Sequence, residues 1–129
     1  KYEHKTPNFE SRLKAVKQAE MLNLTLRLCF DPILKIPSWE TLYSEMLDII
    51  FNTISSTSLR DISICGFRTS NDFLSKMRKR RENSAILNYP YVLEDGVYSY
   101  GAKENKKLTG FLITQSAKYI DRTKIFTWE

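Results

Sequence analysis

The chain has 129 residues, 42% of them apolar and 12% aromatic, which suits one packed domain rather than a disordered segment. No apolar run approaches the roughly 20 residues that a membrane-spanning helix needs. The formal charge is +5, and two cysteines, one histidine and four glycines leave little material for zinc, histidine-based or phosphate-loop chemistry.

The polar opening, Lys1 to Lys5, contains no apolar leader. Because residue 1 is not methionine, residues 1–129 are read as a single domain belonging to a longer chain, with 1–8 expected to be flexible. Thr6-Pro7 reads as a helix start, and Phe9, Leu13 and Val16 recur at helical spacing as far as about Met21. Residues 22–30 then alternate strictly, with Leu22, Leu24, Leu26, Leu28 and Phe30 on one face of a predicted strand that Asp31-Pro32 ends. Ser38 is placed as the cap of a second helix, whose stripe includes Leu42, Met46 and Ile50. The main core is expected where that stripe meets Leu24, Leu26 and Leu28.

A serine-rich turn at 55–58 leads to a second strand, Leu59 to Phe67. Ser70 caps a third helix, from Asn71 to about Arg81. Beyond it the reading is β-rich. Residues 85–89 and 91–93 look extended, and Asp95-Gly96 marks a hairpin. Residues 103–107 read as a charged loop, and 108–115 and 124–128 as closing strands. The predicted class is α+β, a mostly antiparallel sheet packed against two or three helices.

Cys29 and Cys65 fall within strands and read as reduced core residues. His4 is the sole histidine and lies near the start of the chain, so no general base or catalytic triad is evident. Asp31, Glu40, Asp61 and Asp72 would be the carboxylates of a metal-dependent nuclease, but their spacing does not select that chemistry. The chain is therefore expected to be no enzyme, with no cofactor and no metal. Lys76, Arg78, Lys79, Arg80 and Arg81 fill five of six consecutive positions, a density that favours an anionic membrane or nucleic acid. Tyr98 and Tyr100, with Lys103, Lys106 and Lys107, are the expected protein contact.

The strand–helix–strand block at 22–67 and the run LTGFLITQSAKY resemble the matrix-protein core of rhabdoviruses, and a similar core in pneumovirus non-structural proteins. That resemblance implies a non-enzymatic viral structural protein that binds anionic membrane and the viral ribonucleoprotein or RNA and self-associates. It would be found in the host cytoplasm, at the inner membrane face and in the virion. The alternative is a small nucleic-acid-binding module that uses the basic helix end.

Overall fold

A computed structural model describes residues 8–127; Thr6-Pro7, His4 and the end of the last predicted strand lie outside them. The elements in chain order are α1 (Phe9–Met21), β1 (Leu26–Ile33), α2 (Trp39–Thr53), β2 (Leu59–Gly66), β3 (Arg68–Ser70) and α3 (Asn71–Arg80). There follow β4 (Val92–Glu94), β5 (Val97–Ser99), α4 (Ala102–Ser116) and β6 (Ile125–Thr127). The class is α+β, with the strands divided between a parallel sheet β1-β2-β6 and an antiparallel sheet β3-β5-β4.

Asn8 begins α1 by accepting a hydrogen bond from the Ser11 amide at 2.8 Å. Its last turn closes through Asn23, whose φ of 58° is left-handed, and the Leu24 amide donates back to the Ala19 carbonyl at 3.1 Å. Leu22 and Leu24 are thus used in a helix cap and stay exposed, and β1 starts only at Leu26. Beyond Phe30 the strand runs on through Pro32, which lacks an amide hydrogen but sits on a sheet edge where none is required.

Two parallel crossovers make the larger sheet, β1-α2-β2 and β2 through α4 to β6. The strands lie in sequence order, so right-handed crossovers put both helices on the same face. On that face Leu47 and Ile50 of α2 and Leu108 and Leu112 of α4 bury Ile62 and Ile64. Phe51 stacks on Tyr119 at 4.6 Å, tying α2 to the segment after α4, and the Tyr119 hydroxyl donates to Asp48. The expected core is therefore partly corrected: Leu26 and Ile50 are buried, Met46 is half-buried, and Leu24 and Leu42 face solvent.

The largest correction concerns residues 102–116, which form a helix rather than a charged loop and a strand. Leu108, Leu112 and Ser116 recur every fourth residue on its buried side, a period hidden by the extra apolar residues Phe111 and Ile113. The Thr109 and Thr114 hydroxyls donate to carbonyls one turn back, at 2.8 and 2.9 Å, so both are satisfied within the helix. Residues 85–89 form turns rather than a strand, whereas the Asp95-Gly96 hairpin is seen, both residues having positive φ as a type I′ turn requires.

At the strand starts, Glu20 accepts from Lys17 Nζ and from the Ser55 amide, each at 2.7 Å. Those bonds hold its carboxyl down at about 2, against an ordinary 4.5. The stability it contributes is complete above pH 4.5 and is lost as pH falls toward 2. Glu20→Gln is expected to flatten the fall in melting temperature across that window; an unchanged acid profile would show that the bonds do not persist.

Candidate functional site on the open sheet face

The two faces of the parallel sheet differ in chemistry. Leu28, Ile62 and Ile125 stand in register toward the helices. The alternate positions, Arg27, Cys29 and Asp31 of β1 and Asp61, Ser63 and Cys65 of β2, point the other way, joined by Phe126 of β6. No helix covers this second face among the described residues. It carries a groove of about 660 Å³ whose lining includes Arg27, Cys29, Asp61, Ser63, Lys124 and Phe126. A parallel sheet is ordinarily covered on both sides. This sheet has helices on one face and a polar open face on the other, and in parallel α/β folds sites lie at the carboxyl ends of the strands.

Those ends carry the denser cluster. Arg68, two residues past β2, donates from Nη1 to Asp31 Oδ1 at 3.1 Å and from Nη2 to Oδ2 at 3.4 Å. The same Nη1 lies 2.6 Å from Cys65 Sγ and 3.3 Å from the Gly66 carbonyl. Burial pushes the Cys65 thiol up despite the adjacent guanidinium, while the bond to Asp31 raises Arg68 further. Midway along the face Arg27 pairs with the buried Asp61 at 3.0 Å. Cys29 and Cys65 are unbridged thiols, Cys29 exposed and Cys65 buried.

On the helix side of this rim, Lys35 Nζ meets Glu104 at 2.9 Å, and the Lys35 amide donates to the Tyr100 hydroxyl at 2.8 Å. The bond between them raises Lys35 and lowers Glu104. A Cβ on Gly66 would stand 2.6 Å from Asn105 Oδ1 of α4, so any larger residue there would displace the Asn105 side chain.

Of the residues singled out by sequence, Lys76, Lys79, Arg80 and Arg81 are exposed on or just beyond α3. Arg78 is not. Its Nε donates to the Leu87 carbonyl at 2.6 Å and its Nη2 to the Tyr89 carbonyl at 3.0 Å, pinning the 85–91 turns. Arg78→Ala would remove the Leu87 carbonyl's side-chain partner, while the Tyr89 carbonyl keeps the Tyr91 amide, and should cost about 1–3 kcal/mol, read as a lower denaturation midpoint. An unchanged midpoint would return Arg78 to the surface set. Tyr100 is an interior residue, its ring 5.0 Å from Tyr89 and 5.2 Å from Tyr91, and Tyr98 is half-buried beneath Arg78. Lys103, Lys106 and Lys107 are exposed on α4, so these five residues form no common aromatic surface.

The open-face residues escaped sequence reading as a group. Their signal was polar alternation in both strands, 27-29-31 and 61-63-65, which marks one shared polar face once the strands are known to be parallel. Asp31 and Asp61 were weighed only as metal ligands, yet each is bound to an arginine. Among the described residues no three His, Cys, Asp or Glu side chains converge as a metal site.

No family model matches the chain, and no curated protein matches it in sequence. Its fold does match solved structures. Spore photoproduct lyase complexed with dinucleoside spore photoproduct superposes with a TM-score of 0.78 at 17% identity, over 96% of this chain and 38% of that one. A variant of the same lyase with bound AdoMet and the dinucleoside gives 0.77 at 16% identity, over 95% and 38%. A cysteine-to-serine variant gives 0.77 at 17%, over 96% and 38%. At such identities the likeness is one of fold, and this chain spans less than half the length of the lyase.

The likeness nevertheless corrects the matrix-core resemblance, because the solved chains that share this arrangement are a lyase and not viral matrix proteins. The strand–helix–strand pattern was real but unspecific: it is a parallel βαβ unit, which the sequence reading had set into a mostly antiparallel layer. The non-enzymatic reading falls with it, as do the anionic membrane, ribonucleoprotein and self-association partners and the bare nucleic-acid module. The expected location at a host membrane or in a virion rested on that resemblance alone.

Proposed function

We propose that this chain forms part of a lyase-like β/α-barrel enzyme, and that the open face of β1-β2-β6 is the wall against which a covalently altered pair of nucleosides is held. The observation that carries this is the sidedness of the sheet, helices on one face and an ordered polar face on the other. That face suits a nucleobase. Arg27–Asp61 and Arg68–Asp31 each set a donor beside an acceptor with the net charge cancelled, matching the alternating edge of a base. Phe126, half-exposed beside them, offers a ring for stacking.

Titrating the full-length protein with dinucleoside spore photoproduct tests the reading. Wild type should bind, and Ser63→Leu, which fills the groove from its floor, should weaken binding by about tenfold or more, a change of about 1.4 kcal/mol, without lowering the melting temperature. Absence of binding by wild type, or equal binding by Ser63→Leu, would overturn it.

A further inference from the structure

Resting on that reading, we infer that the outer stripe of α3 is a second contact, one that takes the phosphates and an unstacked base of the strand that carries the altered nucleoside pair. Phe73, Lys76 and Arg80 lie at i, i+3 and i+7, on one line of the helix, with Lys79 beside them and Arg81 just past the end. Leu74, Met77 and Arg78 hold the opposite side against the protein. Lys76, Lys79, Arg80 and Arg81 make no ion pair among the described residues.

Phe73 is the independent observation. It is 66% exposed on a helix whose other outward positions are polar, in line with two of the cations. A helix end needs one or two cations to complement its dipole, and needs no exposed aromatic ring. Cations interleaved with an exposed ring suit a strand whose phosphates pair with the former and whose unstacked base lies on the latter.

The position fits as well. β3 begins with Arg68 at the carboxyl rim of the open face and leads directly into α3, so a strand leaving the face would pass along this helix. The fifth cation, Arg78, braces the helix through Leu87 and Tyr89, and Tyr89 lies 3.4 Å from Lys35 at the same rim.

The test compares the full-length protein with a Lys76→Ala/Lys79→Ala/Arg80→Ala variant, using the dinucleoside photoproduct and a single-stranded oligonucleotide that contains it. Wild type should bind the oligonucleotide more tightly, with log affinity falling against log salt at a slope of about −3 for four phosphate contacts. The variant should lose about tenfold in oligonucleotide affinity and about 2 units of that slope, yet bind the dinucleoside as before. Phe73→Ala should weaken single-strand binding while leaving the slope unchanged. If the dinucleoside fails to bind while oligonucleotide binding still depends on α3, the lesion reading falls and only the strand contact of α3 stands. Equal affinity and slope in the triple variant would overturn it, as would binding of anionic phospholipid vesicles in place of the oligonucleotide.

Discussion

Leu112→Ala should destabilise the fold by about 2–5 kcal/mol, the cost of truncating a fully enclosed leucine whose surroundings relax only in part. Leu112 has no exposed surface. It stands on the buried side of α4 with Leu108, and belongs to the same core as Ile62 and Ile64 of β2 and Leu47 and Ile50 of α2. Relaxation is hindered because α4 approaches both α2 and β2, so closing the cavity would require one contact to open. Urea unfolding of the two proteins measures the difference. A loss below about 1 kcal/mol would fall outside the range for such sites and indicate that α4 does not close the core.

Arg68→Ala should cost little stability and weaken lesion binding by roughly 10- to 150-fold. The ion pair with Asp31 is partly exposed on both sides, so its contribution to folding is small. Its contribution to the site is geometric, since one guanidinium joins Asp31, Cys65 and the Gly66 carbonyl and fixes the carboxyl rim of two strands. Loss of charge-assisted hydrogen bonds of this kind corresponds to about 1.5–3 kcal/mol of binding, or roughly 10- to 150-fold in affinity. Arg68→Lys should rescue little, because an ammonium cannot reproduce the planar fork. Affinity within about twofold of wild type in Arg68→Ala, or equal rescue by lysine, would remove Arg68 from the site.

The sequence revealed what is local. Ser70 was read as the cap of α3 from its position before a polar helix, and its hydroxyl does accept from the Phe73 amide. Asp95-Gly96 was read as a hairpin because only such residues accept two positive φ values in succession. Long-range pairing was not legible. Leu26 and Leu28 announce a buried strand face whichever neighbour they have, but only the pairing of Cys29 with Ser63 and of Ser63 with Phe126 shows that the sheet is parallel. The polar positions 27, 29 and 31 then change meaning, from the solvated side of an antiparallel layer to the open polar face of a parallel sheet. Arg78 failed for a different reason. A cation that bonds to carbonyls 9 and 11 residues away is indistinguishable, in sequence, from its free neighbours.

Thiol accessibility tests the central claim, that the open face of β1-β2-β6 is the substrate-facing wall. Cys29 lies exposed in the middle of that face, whereas Cys65 is buried and its thiol is held in the less reactive protonated form. Alkylation of the full-length protein, followed by peptide mass spectrometry, should modify Cys29 before Cys65. Saturating dinucleoside spore photoproduct should slow the reaction at Cys29 by about tenfold or more, the occupancy effect expected at ligand concentrations well above Kd. A Cys29 rate that is unchanged while the dinucleoside is demonstrably bound would place the substrate elsewhere and contradict the account.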